Sequence, residues 1–381
     1  DKVVKFDPDS FEFSDVIPES NDAMKGVEFI NGKFIVEYLK DAHAKVDVFD
    51  QNGKFENEIQ FPSIGSASGF NGRKNDKEIF FIFTSFNFPS TIYKYDVENN
   101  STSMFRKSEA NFNSDIFESK QIFYPSKDGT MIPMFLVYKK GLELNGNNPA
   151  LMYGYGGFNI SETPNFSATR IMFLENGGVY ALACIRGGGE YGEKWHRAGM
   201  QLNKQNVFDD FISGAEYLIR EKYTSSGKLA IQGGSNGGLL VGAVINQRPE
   251  LFKVALPAVG VMDMLKYHKF TIGWAWVTDY GSSDDSIHFK NLYSYSPLHN
   301  ISKQNYPATF ITTSDHDDRV VPLHSYKYAA TLQEKNTGEN PVLLSVETDA
   351  GHGSGKPISK SIEQQTDLWS FVFYNLGIIP E

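Results

Sequence analysis

From about residue 115 onward, apolar runs of strand length alternate with stretches of helical periodicity. The runs are ALMYGYG (150–156), GVYALACI (178–185), KLAIQG (228–233), KVALPAV (253–259), PATFITTS (307–314) and PVLLSVET (341–348). Helical patterns occupy 207–222, 236–247, 322–335 and 360–376. Such alternation predicts a mostly parallel sheet covered on both faces, because each parallel pair needs a crossover that a helix supplies. Right-handed crossovers put the functional loops at the carboxyl ends of the strands. Chemistry is therefore sought in the loop after each strand.

The first 110 residues have another texture: short β-type runs such as GKFIVEYL and KEIFFIFTSF, separated by polar turns. The Asn-Gly pair of DQNGK (Asp50–Lys54) marks a hairpin. Phe34 and Phe80, Val46 and Ile92, Phe49 and Tyr95, and Asp50 and Asp96 each stand 46 residues apart. A period in the forties made of short strands is the mark of β-propeller blades, with a β-sandwich as the rival. The expected organisation is a partial propeller of about two blades over 1–112 and an α/β domain over 113–381. Closing a ring takes at least about four blades. Further chain, or some other cover for the strand edges, is expected.

With 46 acidic against 36 basic residues the chain carries a formal charge of −10. Nucleic acid and anionic membrane both need a concentrated basic face, and neither is an expected partner. Cys184 is the only cysteine, which suits a reducing compartment, and no run approaches a membrane span. The opening DKVVKFDPDS has no signal-peptide character, so a cytoplasmic location is expected, with a periplasmic or secreted one left open.

Two phosphate readings fail. RGGGEYG (Arg186–Gly192) satisfies G-x-G-x-x-G after a strand, but Asp209 and Asp210 open a helix instead of ending the next strand. GGSNGG lacks the Gly-Lys-Ser/Thr of a P-loop. What QGGSNGG does satisfy is G-x-S-x-G, through Gly233, Ser235 and Gly237, between a strand and a helix. There a serine sits on a strained turn where neighbouring Cβ atoms would collide. The N–H of Asn236 then points at a developing oxyanion. Serine alone is a poor nucleophile, so a histidine and a carboxylate must come later in the chain. His352, in a glycine-bordered loop after the last strand, fits the base. Spacing leaves the acid open among Asp315, Asp317, Asp318 and Asp349. No cofactor or metal is implied, since there is no H-E-x-x-H and no thiolate cluster.

Together GGSNGGLL, YGYGGF, RGGGEYGEKWH, TSDHDDRVVPLHS and AGHGSGK resemble the prolyl oligopeptidases, serine peptidases with a seven-bladed propeller over an α/β-hydrolase domain. The resemblance implies Ser235 as nucleophile, Asp317 as triad acid and His352 as general base. It implies Tyr155 as side-chain oxyanion donor beside the Asn236 N–H, and Arg319 on a substrate carbonyl. Trp276 would stack on the proline ring, with Phe158, Val261, Tyr280 and Val320 completing the pocket wall. The implied reaction is cleavage of short peptides after proline, and the implied partners are such peptides and the amino-terminal part of the same protein. Related oligopeptidases of other specificity (oligopeptidase B-like or acylaminoacyl peptidase), an inactive fragment, and a non-enzymatic binding protein are the alternatives.

Overall fold

A computed structural model describes residues 1–109, 112–353 and 357–380; the last three residues of AGHGSGK lie outside that set. A hairpin, β1 (Val3–Asp7) and β2 (Glu12–Ile17), precedes two four-stranded antiparallel meanders. The first contains β3 (Ala23–Ile30), β4 (Lys33–Lys40), β5 (His43–Asp50) and β6 (Phe55–Glu58). The second contains β7 (Ser66–Ser68), β8 (Glu78–Ser85), β9 (Phe88–Asp96) and β10 (Ser101–Arg106). Each is one propeller blade. Asp50 and Asp96 close matching turns: Asp50 accepts from the N–H groups of Asn52 and Lys54, and Asp96 from those of Glu98 and Asn99.

The repeat is not uniform. Phe49 pairs with Phe34 across the first blade, whereas Tyr95 pairs with Ile79 across the second. The counterpart of Phe34 is therefore Ile79, 45 residues on, and not Phe80 as the even spacing predicts. A slip of one residue turns a side chain to the other face of a sheet. Ile79 is accordingly 2% exposed and Phe80 40%. Ile35 and Val48 of the first blade pack on Ile79, Phe81 and Tyr95 of the second, while Val36 and Tyr38 on its other face meet Ile17 of the hairpin.

The large sheet has eight strands: β11 (Phe117–Pro125), β12 (Met131–Lys139), β13 (Ala150–Tyr153), β14 (Val179–Ala183), β15 (Leu229–Gly234), β16 (Val254–Ala258), β17 (Ala308–Ser314) and β18 (Val342–Glu347). Their order is β11-β12-β14-β13-β15-β16-β17-β18, and all pairs from β14 to β18 are parallel. The antiparallel hairpin β11–β12 at one edge is an addition to the strands expected from the sequence.

Eight α-helices accompany the sheet among the described residues: α1 (Ala168–Glu175), α2 (Glu193–Arg197), α3 (Gln205–Arg220), α4 (Asn236–Gln247), α5 (Val277–Tyr280), α6 (Ser286–Tyr295), α7 (Leu323–Lys335) and α8 (Ile358–Leu376). None is long and apolar enough to cross a membrane. Both sheet faces are buried, as alternate residues show: Met134 and Leu136 enter one core, Phe135 and Val137 the other. The α3 stripe Val207, Phe208, Phe211, Ile212, Ala215 and Leu218 has the helical spacing that seats it on the first core.

The blades are tied to the sheet domain by specific contacts. Tyr191 donates its hydroxyl to Asp41 at 2.7 Å, Ser66 donates to the Pro164 carbonyl at 2.7 Å, and Phe86 enters the second core.

Arg186, just past β14, resolves the nucleotide-like motif. Its guanidinium grips the wholly buried Asp210 of α3 through Nε and Nη2, and reaches Asp128 through Nη1 at 2.5 Å. Asp210 is thus a structural counter-ion joining helix, sheet and the β11–β12 turn. Arg186→Leu strands that carboxylate and should destabilise the fold by about 3–5 kcal/mol. Asp128→Asn touches a half-exposed partner and should cost less than about 1 kcal/mol. Denaturant unfolding followed by circular dichroism checks both, and equal losses would contradict this ranking.

Candidate active site

Ser235 stands between β15 and α4 with φ +57° and ψ −115°, a backbone conformation that strains a non-glycine residue. Its N–H is held by the Ala258 carbonyl at 2.8 Å. The glycines around it serve space and not dihedral freedom, because none of the four adopts a positive φ. A Cβ on Gly233 would lie 2.3 Å from the Gly237 carbonyl oxygen. One on Gly237 would meet the Gly154 oxygen at 2.7 Å, and one on Gly238 the Cα of Gly260 at 2.6 Å. Gly234 differs: its Cβ would find only the Ala258 oxygen, at 4.0 Å.

Of the four candidate acids, Asp317 is the buried one that meets His352. Its Oδ2 accepts from His352 Nδ1 at 2.7 Å, and its Oδ1 accepts the N–H groups of Arg319 and Val320 at 3.0 and 2.8 Å. The carboxylate is thereby aimed by its own loop. Asp318 is exposed, Asp315 pairs with His316, and Asp349 lies in a turn with φ +53°. These loops come after β17 and β18, so the Asp–His pair stands at the same end of the sheet as Ser235.

Ser235 lines a cavity of about 260 Å³ together with Tyr155, Phe158, Val261, Trp276, Tyr280 and Arg319. Tyr155 and Ser235 line it together, and burial pushes the Tyr155 pKa up to about 12, so its hydroxyl remains a donor at neutral pH. Phe158 meets Tyr280 edge to face at 5.3 Å, and Trp276 stacks on Tyr267. Trp276, not the 66% exposed Trp274, faces the cavity. Val320 is buried in the first core, as Val261 and Tyr280 are, and serves Asp317 through its N–H. Ile160 and Ile272 also line the wall, in loops with no periodic signal to single them out.

Behind the wall lie residues that single-motif reading passes over. The Asn236 side chain donates to the Tyr155 carbonyl and accepts from Lys204 Nζ at 3.1 Å and the Tyr280 hydroxyl at 2.9 Å. His196 bonds through Nε2 to Asp279 at 2.8 Å. Asp279 also accepts the Phe158 N–H at 3.0 Å. The acid-aromatic spacing in WVTDYG is the only sequence trace of this support.

Glu190, from the same glycine-rich stretch as Arg186, is buried and accepts the Glu162 N–H at 2.8 Å. Burial pushes its pKa from 4.5 up to about 8.

The family model described as "Prolyl oligopeptidase family" matches residues 164–378, and that of the "Prolyl oligopeptidase, N-terminal beta-propeller domain" matches 1–108. A prolyl endopeptidase of Elizabethkingia meningoseptica is 48% identical over 97% of this chain and 53% of its own. One of Dictyostelium discoideum is 46% identical over 97% of this chain and 50% of its own. A solved structure from a study of two prolyl endopeptidases superposes with a TM-score of 0.96 at 42% identity, covering 99% of this chain and 57% of that one. Prolyl oligopeptidase B of Galerina marginata, solved with a 35mer hydrolysis and macrocyclization substrate, gives 0.95 at 39% identity over 100% of this chain and 55% of that one. The chain spans about half the length of the relatives it matches.

Gly234→Ala should change stability by less than about 0.5 kcal/mol and leave the reaction of Ser235 with a fluorophosphonate unchanged. Gly233→Ala must displace the turn and should slow that reaction by about 10²-fold. Intact-mass labelling rates compare the two. For Glu190, a folded-state pKa raised above the unfolded value means stability is present below 4.5 and lost as pH climbs towards about 8. The melting temperature of Glu190→Gln relative to wild type should rise across that window and be flat below it.

Proposed function

The chain belongs to the prolyl oligopeptidase family, and from that premise we propose that it carries the active site of a serine endopeptidase cleaving short peptides on the carboxyl side of proline. The observation that carries this reading is the bond from His352 Nδ1 to the buried Asp317, at the sheet end where Ser235 is held on its strained turn. Asp317 fixes the tautomer and orientation of His352, leaving Nε2 as the base.

The Ser235 hydroxyl attacks the scissile carbonyl while His352 Nε2 takes its proton. The tetrahedral oxyanion is received by the Asn236 N–H and the Tyr155 hydroxyl, each contributing about 2.7–4 kcal/mol of transition-state stabilisation. His352 then delivers the proton to the departing amine, leaving an acyl-enzyme. A water, deprotonated by the same imidazole, releases the new carboxyl end.

Specificity is set by the wall. A proline ring offers a puckered apolar face, and Trp276, Phe158 and Tyr280 supply flat aromatic surfaces. Arg319 is the one charged residue lining the cavity among those described. A basic side chain would meet a cation there and no acid, which disfavours a basic-residue specificity. Arg319 at the exposed mouth is suited to a substrate carbonyl instead.

The test is Ser235→Ala in the full-length protein with paired Gly-Pro and Gly-Arg reporters. Cleavage of the proline reporter should fall by at least about 10⁴-fold with the melting temperature nearly unchanged. Wild-type turnover by the variant, or preference for arginine in the unmutated protein, would overturn the reading.

A further inference from the structure

Lys204 precedes α3 and is wholly enclosed, with 1% of its surface exposed. Burying an ammonium group is costly unless its protons are well received. Its contacts are directed at the turn after β13. Nζ donates to the Gly156 carbonyl at 2.8 Å and to Asn236 Oδ1 at 3.1 Å, and sits 5.3 Å from the centre of the Tyr280 ring. At a second point of the same turn, Asp279 accepts the Phe158 N–H. A cation thus grips a carbonyl and an anion grips an N–H, two residues apart.

The turn needs holding. Gly156, Phe158 and Asn159 all have positive φ, at 66°, 58° and 58°, the latter two without the freedom of glycine. Tyr155, which lines the cavity with Ser235, stands at its start. Its carbonyl is held by the Asn236 side chain, whose own oxygen is held by Lys204. Lys204 therefore controls both ends of the oxyanion site through Gly156 and Asn236.

We propose that Lys204, with Asp279 holding the same turn, is a positioning residue that keeps the Tyr155 hydroxyl and the Asn236 N–H in register with Ser235. This rests on the peptidase reading of the site. Lys204 touches no substrate atom; it acts through the peptide groups it binds. Around it, α5 contributes Asp279 and Tyr280, α2 contributes His196 through its bond to Asp279, and the turn contributes Tyr155. Burial lowers the Lys204 pKa to about 8, with Asp279 opposing the shift. Raising pH through that value removes the charge and loosens the turn.

Lys204→Met in the full-length protein should lower kcat on the proline reporter by about 10–10²-fold, with KM changed less than about twofold, the pattern of a lost transition-state interaction. The loss should be smaller in a Tyr155→Phe background, because one of the two donors that Lys204 positions is already gone there. The wild-type alkaline limb near pH 8 should be absent from Lys204→Met. Asp279→Asn should move that limb to lower pH, and this second variant keeps the test open if Lys204→Met does not fold. An unchanged kcat, strictly additive losses, or a limb that ignores Asp279→Asn would overturn the proposal. The fluorophosphonate labelling rate of Ser235 is read in parallel. An unmutated protein that labels but does not cut the proline reporter would sink the substrate reading while leaving the Lys204 comparison intact.

Discussion

The structure turns on backbone packed directly against backbone where β13, β15 and β16 end. Gly154, Gly237, Gly238 and Gly260 approach so closely that a methyl group on Gly237 or Gly238 would overlap a main-chain atom. That approach lets Ser235 occupy its strained turn and brings Asn236 beneath the Tyr155 loop. Strained conformations of this kind cost about 1–3 kcal/mol and persist only where their surroundings over-determine them. Here the N–H of Ser235 is held by β16, and its carbonyl accepts the first bonds of α4.

Around this point the buried polar and charged groups come in partnered sets, each spanning elements distant in sequence. Arg186 and Asp210 join β14 to α3; Asp317 and His352 join the loops after β17 and β18. Lys204 and Asp279 each hold one peptide group of the 155–158 turn. Removing one member of such a set leaves an uncompensated charge in a poorly polarisable interior, which is costlier than never having buried the pair. The sets thus act as geometric clamps, and their contribution is orientation more than net stability. The cavity they frame is apolar apart from Tyr155, Ser235 and Arg319, so polar selectivity is concentrated at few atoms.

The blades illustrate how small offsets have large consequences in a sheet. A repeat of 45 residues in one strand and 46 in the next keeps equivalent turns capped by Asp50 and Asp96 while turning Phe80 to the outer face. Even spacing alone therefore aligns the turns and misassigns a face.

Alternation of strand and helix, the glycine-flanked serine, and a loop of carboxylates followed by His352 were legible in the chain itself, because periodicity and turn chemistry are local properties; Asp317 was singled out only by the family resemblance. Local spacing left four carboxylates as equals; the tertiary structure separated them by burial, leaving Asp317 alone against the imidazole. It also drew Lys204, His196 and Asp279 around one turn, and showed Gly234 to be spacious where its neighbours are tight. Each of those outcomes depends on which residues from distant segments share a few cubic ångströms. No window along the chain contains that information, since side-chain burial and charge pairing arise only when the strands are laid side by side.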